Sequence, residues 1–441
     1  MSVCKVLAVC VVCSFSFISL ASNQPSLYFL YEKALDSSPK FQVSKMEEAI
    51  AKSAQAVTDA GYYPTVSVQA KIGRQYQNVI RSETTVYPIE ENDYRANNTS
   101  LNVNQVIYDG ALFAESKVAE LDVTSAQLQL KAEQQALAYE IAEAYVELLK
   151  SYDNLAYVGA LQLASEAELK KAAKQRERGI NNRVEFTEVK ARYAETQAQV
   201  ADAEQQKRDA EDTIVMLTGV VANGIQPISG QFNYASVLQA DLTTYIQSAL
   251  QSNPAIRKAI VDRQSAEQSI DTESGRYEPN VTFQIQANRD DSGGSLFGGA
   301  TKIDTVSASV LLNVPIYSGG AGSASIMRAS QELQRSSFEL EQKKREVMRD
   351  VRRAYSRIQT QQSRIESMSL SVEAYATALQ AKQTGSRSGV FTQVDVLNAK
   401  KDLSFAQKDL AEAKYDLILS FFELKKALGE LSAEDLIRIN T

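Results

Sequence analysis

The 441-residue chain has no histidine and no tryptophan, and its three cysteines, Cys4, Cys10 and Cys13, all fall within the first thirteen positions. Without imidazole or thiolate, a zinc or copper centre lacks its usual ligands, and histidine-based acid–base or triad catalysis lacks its base. A catalytic carboxylate pair remains chemically possible, but no stretch of sequence marks a cleft to hold one. The cysteines sit in a segment of targeting character. Lys5 gives it a positive start, Val6 to Leu20 is apolar, and Ser19-Leu20-Ala21 is a small-x-small cleavage pattern. Residues 1–21 are therefore expected to be a signal peptide. The Cys10-Val11-Val12-Cys13 spacing inside it carries no redox meaning, and the mature chain is expected to lack disulfides and an acyl anchor.

Other absences narrow the field. After the first segment no run of some 18 apolar residues occurs, so no transmembrane helix is expected, and membrane entry could only be as a β-barrel. A formal charge of −7 and a pI near 5.2, with no basic stripe interleaved with aromatics, argue against a nucleic-acid partner. The glycine-rich pieces Gly293 to Gly299 and Gly319 to Gly322 lack the Lys-Ser/Thr of a phosphate loop. They suggest an extracellular loop and a strand-to-helix bend. No cofactor is expected.

What is present is a repeat. Ala34-Leu35-Asp36-Ser37-Ser38-Pro39 recurs as Ala249-Leu250-Gln251-Ser252-Asn253-Pro254, and Tyr63-Pro64-Thr65-Val66 as Glu278-Pro279-Asn280-Val281. Ile107-Tyr108-Asp109-Gly110 recurs as Ile316-Tyr317-Ser318-Gly319, and Val184-Glu185-Phe186 as Val394-Asp395-Val396. The order is kept throughout. The expected organisation is a first repeat over 22–218, an inter-repeat segment over 219–241, a second repeat over 242–430 and a C-terminal tail over 431–441. Each repeat reads helix, strand, loop, strand, long helix, turn, helix. Strict alternation of apolar and polar residues places strands at about 64–74, 98–108, 279–289 and 304–315. Long helices are expected at about 109–176 and 318–385, and return helices at about 182–218 and 390–428.

Each strand is long enough to cross hydrocarbon when tilted, and its polar face is mostly Gln, Asn, Thr and Ser, which suits a wall between lipid and water. A soluble sheet with its apolar face on a core would show the same alternation. Tyr63, Tyr108 and Tyr317, with Pro64, Pro279 and Pro315, mark the strand–helix junctions where an aromatic belt would lie. The helices carry heptads: Leu137, Ile141, Ala144, Leu148, Ser151, Leu155 and Val158, then Val347, Val351, Ala354, Ile358, Gln361 and Ile365. Four strands leave two bare edges, which lipid does not tolerate, so other copies must close the sheet. Two copies would give a filled eight-stranded barrel, and three a twelve-stranded barrel with a lumen.

The run Gly389-Val390-Phe391-Thr392-Gln393-Val394-Asp395-Val396-Leu397-Asn398-Ala399-Lys400, with Ala413-Lys414-Tyr415-Asp416 and Lys426-Ala427-Leu428-Gly429-Glu430-Leu431, resembles the C-terminal signature of the TolC family. Gln105 to Gly110 and Asn313 to Gly320 resemble its strand-to-helix junctions. The resemblance covers essentially the whole mature chain. It implies a mixed α/β membrane protein of a Gram-negative bacterium, not an enzyme. Three copies of such a chain would build a twelve-stranded outer-membrane barrel continued by a helical barrel in the periplasm. The implied role is the passive exit duct of a type I secretion or multidrug efflux system. Its implied partners are outer-membrane lipid, a periplasmic adaptor and an inner-membrane transporter, either ABC-type or proton-driven. A stand-alone diffusion porin is the alternative, although a porin needs no long helices.

The resemblance also places a periplasmic gate at the far helix turns. Asp395 matches the family's gate aspartate, and Glu185 holds the equivalent place in the first repeat. The second gate position is Asn398 here, with Glu188 its counterpart. The family's latching Tyr and Arg fall on Ser386 and Phe391, which leaves Arg183 and Arg387 as candidate replacements. A carboxylate at these places also favours a helix N-terminus, so Glu185 has a purely structural alternative. The turn residues Gly179, Ile180, Gly389 and Val390 are where the family receives the adaptor, or they are simply helix caps.

Overall fold

The structure is a computed structural model that describes residues 24–78, 80, 91–179, 183–221, 224–228, 234, 237–294, 299–388, 390–391 and 393–440. The expected signal peptide lies outside these residues. The elements run α1 (Leu27–Ser37), α2 (Pro39–Asp59), β1 (Thr65–Asn78), β2 (Glu91–Tyr108), α3 (Gly110–Glu177) and α4 (Arg183–Thr218). The second half repeats the order with α5 (Leu242–Ser252), α6 (Pro254–Gly275), β3 (Asn280–Ser292), β4 (Thr301–Asn313), α7 (Ala321–Arg387) and α8 (Gln393–Leu428), before a short α9 (Ala433–Ile437).

The caps explain why the helices start where they do. Pro39 and Pro254 open α2 and α6, where a missing N–H costs nothing. The Asn253 side chain accepts from the amides of Ala255 and Ile256 while donating to the Ala427 carbonyl 2.8 Å away. It thus closes the start of α6 and the end of α8 together. In the first repeat Ser37 Oγ donates to the Leu217 carbonyl at 3.1 Å, joining the end of α1 to the end of α4. Each return helix therefore abuts a shorter helix. The 36 residues of α4 and the 21 of α2 stack beside the 68 of α3, and the 36 of α8 and 22 of α6 beside the 67 of α7. At 1.5 Å per residue the long helices reach roughly 100 Å. We expect Asn253→Ala to cost about 1–2 kcal/mol, read as a lower thermal midpoint of the helical signal.

The four strands form one antiparallel sheet in the order β1-β2-β3-β4, so the two repeats join at β2–β3. Its register aligns side chains in rows. Val66, Val103, Ile285 and Ala308 lie on one row, and Val68, Leu101, Ala287 and Val306 on another, both on the same face. The rows between them are polar: Ser67, Asn102, Gln286 and Ser307, then Gln69, Ser100, Asn288 and Thr305. A slip of one residue on any strand would break every row, so the alternation itself fixes the pairing. β1 and β4 each keep one edge unpaired within the chain.

The buried core sits where the stacked helices meet. Leu27, Leu30, Ile141, Tyr145, Leu148, Ile214, Ile418 and Phe422 form one cluster with Leu436 and Ile439 of the C-terminal segment. Ala249, Ile256, Val347, Val351, Ile358, Leu417 and Leu424 form the second. Burying each large aliphatic side chain stabilises by about 1.5–3 kcal/mol. Toward the far turns the seam thins to small residues: Ser165 and Ala172 on α3, Ala399 and Ala406 on α8, and no fully buried described residue of α7 beyond Ile358. The far end is thus the least strongly held part of the helical body.

Candidate functional site: the far helical turns and the strand wall

Two regions carry the functional geometry, one at each end of the long helices. At the first far turn, α3 ends at Glu177 and reverses through Gly179, whose φ of 70° is left-handed and open to glycine at little cost. Its amide donates to the Arg176 carbonyl at 3.0 Å. The guanidinium of Arg176 then lies 4.8 Å from the ring centre of Phe186 on α4, clamping the two helices across the turn. Arg183, the first residue of α4, and Glu188, five residues further on, are exposed. Glu185 lies between them in the first turn of α4. The Glu185 side chain and Ile180 lie outside the described residues.

The second turn is built differently. The amides of Val390 and Phe391 both donate to the Gly385 carbonyl, at 2.9 and 3.4 Å, which folds the chain back over the end of α7. The Phe391 ring then covers Gly385 so closely that a Cβ there would stand 2.6 Å from it. Only glycine fits. We expect Gly385→Leu to expel the ring and loosen the turn, seen as faster proteolysis near residue 390 with the helical content retained. Gly389 lies outside the described residues, and Val390 is exposed. Asp395 is half-buried in the first turn of α8, and Asn398, one turn along the same side, is exposed. The negative side chain suits the helix N-terminus.

As for a latch, Phe391 packs on its own turn, and Ser386 is half-buried in the last turn of α7. Arg183 and Arg387 are exposed, and neither forms an ion pair among the described residues. The clamps that do exist, Arg176 on Phe186 and Phe391 on Gly385, were not singled out from sequence. The only available signal was an aromatic residue just past each turn, seven residues after Gly179 and six after Gly385.

At the other end, Tyr63 and Pro64 immediately precede β1, Tyr108 ends β2, Pro279 precedes β3, and Pro315 and Tyr317 follow β4. All six stand at the boundary between sheet and helices. Proline is tolerated there because no ladder amide is required of it. Tyr63 and Tyr317 are exposed, while Tyr108 donates to Glu278 Oε2 at 2.8 Å and meets the Phe113 ring edge-on at 5.6 Å. Val66, Val68, Ile72, Val306, Val310 and Leu312 are exposed on the apolar face. No helix of the described chain is long and apolar enough to cross a membrane. Among the described residues no group of histidine, cysteine or carboxylate side chains is arranged to hold a metal.

A sheet with one apolar and one polar face, continued by helices about 100 Å long, defines one segment of a channel wall. The family model for the outer membrane efflux protein matches residues 30–220 and 245–430. The chain belongs to that family, and with it to the TolC-type channels of the Gram-negative outer membrane, whose helical part lies in the periplasm; it is a transport protein, not an enzyme. The outer membrane protein TolC of Vibrio cholerae is 25% identical over 99% of this chain and 98% of its own length. The alkaline protease secretion protein AprF of Pseudomonas aeruginosa is 24% identical over 69% of this chain, a match that spans 63% of that protein, under two thirds of its length. Among solved structures, the CmeC outer-membrane channel of Campylobacter jejuni superposes with a TM-score of 0.79 over 93% of this chain and 88% of its own, at 13% identity. VceC of Vibrio cholerae does so at 0.71 over 91% and 96%, at 20% identity. At these identities the structures speak for the fold.

Proposed function

We propose that three copies of this chain close into one continuous tube and act as the passive exit duct of a tripartite system, with Asp395 ringing its periplasmic entrance. The observation that carries this is the open sheet. Its apolar rows need lipid on one side, its polar rows suit water on the other, and the bare edges of β1 and β4 need partners. Three four-stranded sheets give twelve strands, enough to leave a lumen. The far turns receive a periplasmic adaptor through Gly179, Ile180, Gly389 and Val390, and an inner-membrane transporter of the ABC or proton-driven class drives cargo. One relative is named for protease secretion and another, BepC of Brucella suis, for efflux, so cargo is a secreted protein or small molecules. The tyrosines and prolines at the sheet–helix boundary seat the tube at the membrane interface.

At the entrance, Asp395 stands in the first turn of α8 and Glu185 in that of α4, with Asn398 and Glu188 one turn behind. A threefold ring of like charge in a narrow mouth attracts cations. Arg183 and Arg387 hold the entrance closed by pairing with neighbouring copies. The test is single-channel recording in planar bilayers. The wild-type pore should be cation-selective with low conductance, and Asp395→Ala should lower selectivity and weaken block by multivalent cations, with the trimer intact. Glu185→Ala should do less, since that charge also serves a helix N-terminus. An Asp395→Ala pore with unchanged selectivity and block would remove this residue from the constriction.

A further inference from the structure

On β3 and β4 the apolar face of the sheet ends abruptly, while β1 carries it on through Ala70 and Ile72. Beyond the row of Ala287 and Val306, the next row on the same face pairs Arg289 with Asp304, roughly 7 Å further from the helices. One row on, Lys302 stands opposite Asp291, and one row beyond that Arg74 stands opposite Arg95. All of these share the face that carries Val66, Val68, Ile285 and Val306, by the two-residue alternation of each strand. They lie at the strand ends far from the helices, hence on the outer-leaflet side of a channel whose helices are periplasmic.

The charges are not equally satisfied. Arg289 makes a two-pronged pair with Asp304, at 2.6 and 2.8 Å, and Arg74 does the same with Asp93, at 3.2 and 2.7 Å. Those guanidinium groups are occupied. Lys302 stands 3.9 Å from Asp291, too far for a hydrogen bond, so its ammonium protons remain available. Arg95 is exposed and has no carboxylate partner among the described residues. Its neighbour on β3 is Gly293, whose amide donates to the Arg95 carbonyl at 2.8 Å and which has no side chain to cover it. A guanidinium with no carboxylate partner among the described residues and a loosely held ammonium, just above an apolar band, lie where the headgroups of the outer leaflet begin.

We propose that Arg95 and Lys302, on the outward face at the distal strand ends, bind the phosphate groups of outer-leaflet lipid. The two lie two strands and one row apart, roughly 12 Å by sheet spacing, and their long side chains can converge on a phosphorylated sugar headgroup. Guanidinium matches phosphate with paired N–H donors and the ammonium adds a point charge. The closed Arg74–Asp93 and Arg289–Asp304 pairs border the site, neutral as pairs and therefore tolerated at the hydrocarbon edge.

The inference rests on the outward orientation of the apolar face, so its test must separate the two. The trimer is placed in nanodiscs of phosphatidylcholine with or without lipid A, and both thermal midpoint and retained lipid A, by native mass spectrometry, are measured. Wild type should melt several degrees higher with lipid A and carry it through gentle activation. Arg95→Ala with Lys302→Ala should lose at least half of that increment and retain several-fold less lipid A, with an unchanged midpoint in phosphatidylcholine alone. Exchange to Arg95→Lys with Lys302→Arg should restore most of it. Should the alanine variant fail to assemble, retention by wild type against the conservative pair decides. Equal wild-type midpoints in the two lipids, a full increment in the alanine variant, or the same increment from inorganic phosphate would each overturn the proposal. Loss of the trimer from every variant and from wild type would instead strike the channel reading.

Discussion

Exchange of Phe338 for aspartate should abolish the detergent-stable trimer while leaving the protomer's helical content intact. The reason lies in surfaces that a single copy leaves bare. On α2, Val43, Met46, Ile50 and Val57 are exposed at spacings of three, four and seven residues, which is a heptad stripe with nothing against it. On α7, Met327 and Phe338 are likewise exposed, three turns apart. Exposed apolar stripes of this kind mark interfaces. α2 and α7 flank the helical layer near the sheet, since α2 packs on α3 and α7 on α6. In a closed ring the α7 of one copy meets the α2 of the next. Phe338 retains two thirds of its accessible surface in the protomer, so a charge there costs the isolated chain little. In the ring it would be desolvated three times over, at several kcal/mol each. Ile50→Asp should behave alike. A trimer of normal yield and heat resistance from both variants would break the assignment of these stripes to the contact between copies.

The sequence patterns account for this architecture unequally. Heptads on α3, and on α7 as far as Ile358, predict the buried seam because packing against two neighbours imposes the same period on burial as on composition: Leu137, Ile141, Ala144, Leu148, Ser151 and Val158 are buried, whereas Leu155, Gln361 and Ile365 are only half-buried. The strand alternation gives the sheet its apolar and polar rows for the same reason. It does not give the strand ends. β2 begins at Glu91, whereas alternation starts near residue 98, and β1 runs to Asn78 rather than about 74. Beyond the apolar rows the backbone ladder and the Arg74–Asp93 pair hold the sheet, and composition no longer needs to alternate. The far turns were legible as positions through the repeat of Val184-Glu185-Phe186 in Val394-Asp395-Val396. Their clamps were not, because a cation over a ring across a turn has no period. The last eleven residues show the same limit. A short stretch beyond the last heptad gives no sign of where it goes, yet Leu431, Leu436 and Ile439 are buried in the first core.

That C-terminal segment supports the second large effect. Leu436→Asp should prevent folding of the region where the stacked helices meet, and Asn440→Ala should weaken it measurably. Leu436 has no accessible surface, and an unpaired carboxylate in its place costs several kcal/mol, a large part of the stability of any domain. Asn440 works by hydrogen bonding. Its Oδ1 accepts from the Leu27 amide at 3.0 Å, and its Nδ2 donates to the Tyr145 hydroxyl at 3.0 Å and the Pro227 carbonyl at 3.2 Å. Tyr145 in turn donates to the Gln226 carbonyl. One side chain thus ties α1, α3 and the inter-repeat segment together, and alanine there leaves buried polar groups unpaired at about 1–3 kcal/mol. Burial pushes the Tyr145 hydroxyl up to about 12, against a smaller pull from Asn440, and burial raises Tyr139 and Tyr152 to about 12 as well. A tyrosine raised on folding stabilises fully below pH 10, and that contribution disappears as pH climbs toward 12. Wild type should therefore lose its helical circular-dichroism signal between pH 10 and 12, and Asn440→Ala should lose it earlier in that window. Tyr145→Phe cannot ionise there, so its own midpoint should shift least with pH even though it starts lower at neutral pH. An Asn440→Ala protein that matches wild type at neutral pH and through the alkaline window would show that the C-terminal segment is held by Leu436 and Ile439 alone.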